Sequence, residues 1–164
     1  MNTPEINKEK ACCFTGHRDI PFDKRARVYE RLNVRIRALI KRGYTDYICG
    51  GALGFDTLAA ATIVNIKREY PEIRLFIAVP HPDQSKFWSF SDRALYSEIL
   101  KKADRVFILS DKYTPYCMAK RNKFMVDSSS VCISYLEKAS GGTFQTVRYA
   151  ESKNLNMLNI AKEI

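Results

Sequence analysis

Three short stretches of this chain carry residue types suited to holding an anion or a sugar. In Gly50-Gly51-Ala52-Leu53-Gly54-Phe55-Asp56, paired glycines end the apolar run Tyr47-Ile48-Cys49, and an acid stands where a helix should begin. Glycine lets a backbone approach an anion closely, and the free N–H groups of a helix start point at it. Asp56 then either takes a ribose hydroxyl or caps the helix. The spacing Gly-Gly-x-x-Gly-x-Asp is not the dinucleotide fingerprint, and no Gly-Lys pair exists to make a P-loop. Thr15-Gly16-His17-Arg18 gathers a hydroxyl, a flexible backbone, an imidazole and a guanidinium, the group best shaped for a phosphate or carboxylate. Ser140-Gly141-Gly142-Thr143 is a second glycine turn before a helix, with two hydroxyls as further donors.

The elements around these stretches alternate. Short apolar runs predict strands at Ala11–Phe14, Asp46–Cys49, Arg74–Val79, Arg105–Leu109, Ser130–Leu136 and Leu155–Ile160. Helical periodicity fills the intervals: about Phe22 to Arg42 with Gly43 as its stop, Gly54 to Tyr70 ended by Pro71, a third helix to Lys102 capped by Ser91 or Asp92, a fourth after Pro115, and a fifth through Ser152. The expected fold is α/β, a three-layer Rossmann-like parallel sheet with helices on both faces and strand order 3-2-1-4-5-6. One domain spans residues 1–164, with residues 1–10 as a flexible lead-in. Ligands bind such sheets at the carboxyl ends of the strands, near the switch between strands 1 and 4. The loops after strands 1, 2, 4 and 5 all lie at that end, and the fourth brings Ser110 with Asp111 and Lys112. The loop Pro80 to Ser91 holds Gln84, Phe87 and the single tryptophan, Trp88. That residue suits a lid, a base-stacking wall or an anchor of the loop to the body.

Composition sets outer limits. At 46% hydrophobic and 27% charged residues this is an ordinary globular profile, and the longest apolar run, Leu75 to Val79, is far too short to span a membrane. The polar start lacks a signal-peptide core, and five cysteines without Cys-x-x-Cys spacing read as reduced core residues, so the expected compartment is the cytoplasm. With only His17 and His81, no metal site is expected and no cofactor is predicted. The net charge of +9 would suit nucleic acid, but eight of the basic residues lie between Asp23 and Arg42 around an apolar stripe. They read as the solvated face of an amphipathic helix.

The motifs occur together in one order: Thr15-Gly16-His17-Arg18, then Gly50 to Asp56 with Ala59-Ala60, Pro80 with Gln84 and Trp88, Arg121-Asn122 with Met125-Val126-Asp127, and Gly141-Gly142-Thr143 with Thr146. This set resembles the YpsA-like branch of the SLOG superfamily over about Ala11 to Ile160. The resemblance implies a Rossmann-like domain that binds a nucleotide-derived ligand, and it adds Gln84, Trp88, Arg121, Asn122 and Asp127 to the ligand site. Two relatives point in different directions. Lonely Guy phosphoribohydrolases carry Pro-Gly-Gly-x-Gly-Thr-x-x-Glu; the matching pair here is Gly142-Thr143, but Thr146 stands in place of the catalytic Glu, which removes the carboxylate for an oxocarbenium-like centre. DNA-processing protein A is similar in its Gly-Gly-x-x-Gly-x-Asp turn and binds single-stranded DNA.

The resulting expectation is a sensor or regulator that binds a nucleotide or phosphosugar. Its site comprises Thr15, Gly16, His17, Arg18, Gly50, Gly51, Gly54, Asp56, Gln84, Trp88, Ser110, Arg121, Asn122, Asp127, Gly141, Gly142 and Thr143. The alternatives are a nucleotide-processing hydrolase, with Asp56 or Asp111 in place of the missing Glu, and a single-stranded DNA-binding module. Enzymatic activity and homo-oligomer formation are left open. No membrane partner is expected.

Overall fold

A computed structural model describes residues 5–164 of the chain. Six strands form one parallel sheet: β1 (Ala11–Gly16), β2 (Asp46–Cys49), β3 (Arg74–Val79), β4 (Arg105–Ile108), β5 (Val131–Tyr135) and β6 (Asn156–Asn159). Five helices connect them: α1 (Arg25–Lys41), α2 (Phe55–Ile66), α3 (Phe90–Lys102), α4 (Cys117–Asp127) and α5 (Gly141–Ser152). The α/β class, the parallel sheet and the three layers are as the sequence predicts.

The order of the sheet is β4-β3-β2-β1-β5-β6, which corrects the expected 3-2-1-4-5-6. Strand β4 extends the sheet beyond β3, with Phe76 beside Arg105 and Val79 beside Ile108. Strand β5 takes the place next to β1, with Cys13 paired to Cys132 and Phe14 to Ile133. Burial explains the choice. All five residues of β5 are buried, as a central strand requires, whereas β4 begins with Arg105 and ends with an Ile108 that is 57% exposed. An edge strand tolerates that exposure and an inner one does not. The switch point therefore lies between β1 and β5.

Right-handed crossovers put α1, α2 and α3 on one face and α4 and α5 on the other. On the first face, Val28, Leu32, Ile36 and Leu39 of α1 meet Ala59, Ala60 and Ile63 of α2 over Phe14, Tyr47 and Leu75. The charged flank of α1 is solvated or paired, with Arg31 and Arg35 on Glu163 and Arg37 on Glu69. On the second face, Met125, Val126 and Ala150 cover Cys13, Ile48, Phe76 and Cys132. All five cysteines are buried and free. Among the described residues, no helix is long and apolar enough to cross a membrane.

Two local expectations change. Helix α3 begins earlier than predicted, because Ser89 rather than Ser91 or Asp92 is its cap and accepts the Asp92 N–H at 3.1 Å. The lead-in is held against the amino end of the sheet: Lys8–Lys10 form a 3-10 turn, and the Asn7 N–H donates to Asp46 at 2.7 Å. The same expectation for residues 1–4 falls outside the described residues.

Candidate functional site

At the carboxyl ends of β1 and β5 a cavity of about 450 Å³ opens, lined from four directions. The end of β1 supplies Thr15, Gly16, His17 and Arg18; the glycine turn after β2 supplies Ala52 and Asp56. Helix α4 contributes Met118, Arg121 and Asn122, and the loop into α5 contributes Lys138 and Ser140 to Thr143. Thr15 is only 8% exposed, and its hydroxyl has no hydrogen-bond partner among the described residues. Arg18 and Lys138 are exposed cations on this wall. Ser140 is the N-cap of α5 and makes no side-chain cap bond. The first-turn amides of α5 are therefore open toward the cavity, as a helix start leaves them without internal partners.

The opening motif works differently from the expectation that it offers N–H groups to phosphate. A Cβ at Gly54 would collide with the Arg18 carbonyl, and its φ of 81° favours glycine. The glycine lets α2 dock against the β1 loop, where the Phe55 N–H donates to the His17 carbonyl at 3.1 Å. The Ala52 N–H donates to Asp56 Oδ2 at 3.3 Å. Two donors of the turn are thus spent inside the protein. Gly54 is the N-cap position of α2, and Asp56 folds back toward Ala52, so the capping alternative for Asp56 is set aside.

Gly50 lies between two charges. A Cβ on it would sit 2.7 Å from Arg121 Nη1 and 2.8 Å from Asp56 Oδ2. Arg121 is 5% exposed and donates through Nη1 to the Gly50 carbonyl, to the Ala78 carbonyl at 3.3 Å and to Gln84 Oε1 at 3.5 Å. Its Nε–H donates to Asn122 Oδ1 at 2.8 Å. Burial pushes the Asp56 carboxyl up to about 6, against the opposing pull of Arg121, the Ala52 amide, Arg18 and the Gly50 amide. Burial also lowers the Arg121 pKa, and Asp56 holds it up. Asp56 is the one carboxylate among the residues lining the cavity.

His17 reaches the cavity but acts mainly as a brace. Its Nε2 accepts the Glu137 N–H at 2.9 Å, which leaves the ring proton on Nδ1. Burial first and Lys138 second lower its pKa, while Glu137 raises it, so the ring is neutral at pH 7. Glu137 itself receives the Tyr135 hydroxyl at 2.8 Å and Lys24 at 3.1 Å.

Several expected site residues lie elsewhere. Gln84 is buried behind the glycine turn, where its Nε2 donates to the Gly51 carbonyl at 3.4 Å and to the Tyr96 hydroxyl at 3.2 Å. Gly51 packs on Tyr96 and Ile77 in the same layer. Trp88 stacks edge-on against Tyr96 at 5.1 Å, which makes it an anchor of its loop. Ser110 follows the edge strand β4, three strands away from the cavity, for the same reason that the strand order changed. Asp127 ends α4 at the opposite pole and accepts the Tyr149 hydroxyl at 2.7 Å. Conversely, Lys138 and Met118 line the cavity and were missed. Lys138 stands two residues before Ser140, so the strand-end position of that loop was the signal available. No group of three or more His, Cys, Asp or Glu able to hold a metal occurs among the described residues.

The YpsA family model, the YspA SLOG family, matches residues 12–161. The chain belongs to this SLOG family. It is 31% identical over 139 residues to the SPβ prophage-derived protein YoqJ of Bacillus subtilis, covering 77% of this chain and 81% of the relative. To the UPF0398 protein of Bacillus thuringiensis it is 29% identical over 129 residues, covering 77% and 70%. Among solved structures, DNA processing protein A from Helicobacter pylori, described for its single-stranded DNA binding mode, superimposes with a TM-score of 0.63 at 16% identity. That match covers 93% of this chain and 70% of the other. DNA processing protein A from Streptococcus pneumoniae gives 0.64 at 13% identity, covering 90% of this chain and 48% of that one. At such identities these two likenesses establish the shared fold of this SLOG domain.

Proposed function

We propose that this SLOG domain binds a phosphorylated, nucleotide-type ligand between β1 and β5 and acts as a cytoplasmic sensor or regulator. The observation that carries this reading is the pairing of the open α5 start, Gly141 to Thr143, with Arg18, Lys138 and the unpartnered hydroxyl of buried Thr15 around one cavity. Helix-start amides and a guanidinium together hold a phosphate through charge-assisted hydrogen bonds. Asp56 lies deeper and accepts from sugar hydroxyls. The test is native mass spectrometry and calorimetry of the purified protein with a nucleotide panel. Arg18→Ala should weaken binding about tenfold, the loss of roughly 1.4 kcal/mol. Unchanged affinity in that variant places the ligand elsewhere. Release of free base in the same experiment would move the reading to hydrolysis, with Asp56 as the acid–base group.

A second reading, single-stranded DNA binding, is supported by a different surface. Phe87, Tyr113 and Tyr116 on the loops after β3 and β4 and Phe90 at the start of α3 are largely exposed, and Lys86 lies over the Phe87 ring. Exposed aromatics with cations are how sequence-tolerant proteins stack bases. Binding through several phosphates would fall about a thousandfold or more between roughly 50 and 200 mM salt. Tight oligonucleotide binding that survives the higher salt would favour this second reading over the first.

A further inference from the structure

A second compartment of about 280 Å³ lies between α4 and α5, and it shares Met118, Asn122 and Gly142 with the first cavity. We infer that this compartment is the seat of a nucleobase, so that the ligand is a nucleoside phosphate and not a phosphosugar alone. This rests on the phosphate reading above, because it starts from a phosphate at Gly142.

The three shared residues form the threshold between the two spaces. A ligand whose phosphate sits at the α5 start has its next groups at that threshold. Beyond it the walls become more apolar: Pro115, Met118, Ala119 and Tyr149 give apolar surface, and the one charged residue, Lys123, lies over the Tyr149 ring at 5.7 Å. A flat, mostly apolar ring with polar edges suits such a space, and the flexible, polarisable thioether of Met118 adapts to a ring face.

The edges are provided for as well. Asn122 Oδ1 is pinned by the Arg121 Nε–H at 2.8 Å, which fixes the amide so that its NH₂ is the free end. Asn122 thus presents donors, and every nucleobase carries ring nitrogens or carbonyl oxygens that accept them. Gln145 lines the same compartment and is exposed, and its amide has no partner among the described residues. It can turn either end toward a base. Thr146 is already committed, donating to the Gly142 carbonyl at 2.8 Å. Arg121 therefore links the two halves: through Nη1 it holds the glycine turn beside Asp56, and through Nε it sets the polarity of Asn122.

Calorimetry on the full chain with the four nucleoside 5′-monophosphates, ribose 5-phosphate and adenosine tests this. The monophosphates should bind at least tenfold more tightly than ribose 5-phosphate. Ala119→Trp, at an exposed position of α4, should fill the compartment and bring the monophosphates down to the level of ribose 5-phosphate, whose own affinity stays constant. Gln145→Ala should give a smaller loss, of a few-fold, in the monophosphates alone. Equal affinity for monophosphate and ribose 5-phosphate in the wild type overturns the base seat and leaves the phosphate reading intact. Wild-type affinity for monophosphates in a folded Ala119→Trp protein also overturns it. Adenosine binding as tightly as its monophosphate, and losing affinity in Ala119→Trp, would keep the base seat and remove the phosphate site. Binding of none of these probes overturns both.

Discussion

Two buried carboxylates stand at opposite ends of the strand-to-helix unit β2–α2, each within reach of an arginine, and they are treated very differently. Asp46, fully buried at the amino end, accepts from the Asn7 N–H at 2.7 Å, from the Thr45 hydroxyl at 3.2 Å and from Arg74 at 2.9 and 2.8 Å. Asp56, at the carboxyl end, takes the Ala52 N–H at a long 3.3 Å and feels a weaker pull from the Gly50 amide, while Arg121 turns its own N–H groups to the carbonyls of Gly50 and Ala78. The first carboxylate has its acceptor capacity filled, and such a network ties the lead-in, β2 and β3 together. The second keeps acceptor capacity beside a cavity and is pushed up to about 6 by burial. A buried acid that the fold leaves underbonded is a better functional candidate than one it satisfies.

Breaking each arginine should give the largest effects. Arg121→Met removes the donor to two buried carbonyls and the positive charge that acts most strongly on Asp56. It should lower stability by about 4 kcal/mol, because two buried carbonyls lose their donor at about 1 to 3 kcal/mol each. Urea denaturation measures it, and a loss below about 1 kcal/mol would show that the Gly50 and Ala78 carbonyls do not depend on this arginine. Arg74→Met at the other end should lower stability somewhat less, by about 3 kcal/mol, because the Arg74 side chain is 32% exposed. Nucleotide affinity of the folded fraction should be unchanged there and strongly reduced in Arg121→Met. Equal effects on binding would erase the contrast between the two ends.

The same contrast shows what could be read in the sequence. The strands and helices were legible because their apolar periods differ: the stripe Val28, Leu32, Ile36 and Leu39 fixes one face of α1, and the unbroken run Leu75 to Val79 marks a strand buried on both sides. Strand order was not legible in full, because local pattern makes Arg105-Val106-Phe107-Ile108 look much like Val131-Cys132-Ile133. Only tertiary burial separates the edge strand from the inner one. The loops after β1 and β5, whose strand ends and glycine turns are local signals, line the cavity. Gln84 and Asp127 were misplaced because adjacency in a motif is not adjacency in space. Asp127 lies six residues beyond Arg121 on one helix, a rise of about 9 Å away from the cavity. Whether Asp56 capped α2 also depended on a single hydrogen-bond direction that no spacing rule contains.

Asp56→Asn sharpens the comparison through pH. An acid whose folded pKa is raised binds more protons in the folded state, so its contribution is full below the unfolded value. That contribution is then lost as pH rises through the folded value of about 6. At neutral pH the ionised, buried Asp56 therefore opposes folding by up to about 3 kcal/mol relative to its protonated form. Asparagine does not titrate. The stability of wild type relative to Asp56→Asn should improve as pH falls from about 7.5 to 4.5, by about 2 kcal/mol, and titration of every other group cancels in the difference. The variant should be at least as stable as wild type at pH 7.5, yet bind nucleotide about tenfold more weakly, because an NH₂ replaces an acceptor. A pH-independent stability difference would mean that Asp56 stays ionised and well solvated in the fold.

The smallest expected stability effect is at Gly142, in the first turn of α5. A Cβ placed there meets nothing within 4 Å, and the residue is exposed, so alanine fits without moving a neighbour. Alanine also restricts the unfolded chain and favours helix, a gain that reaches about 1 kcal/mol in a helix interior and is a few tenths at a first turn. Gly142→Ala should therefore melt at the same temperature as wild type or slightly above it. Yet Gly142 borders both the cavity at the α5 start and the compartment beside it, so the added methyl group takes up room at their threshold. Nucleotide affinity should fall several-fold while stability holds or rises. At the amino end of the sheet no substitution separates the two properties in that way, because Asp46 and Arg74 are part of the packing itself. Calorimetry and thermal melting on the same sample decide it. A Gly142→Ala protein that is both unaltered in stability and unaltered in affinity would remove the α5 start from the ligand site.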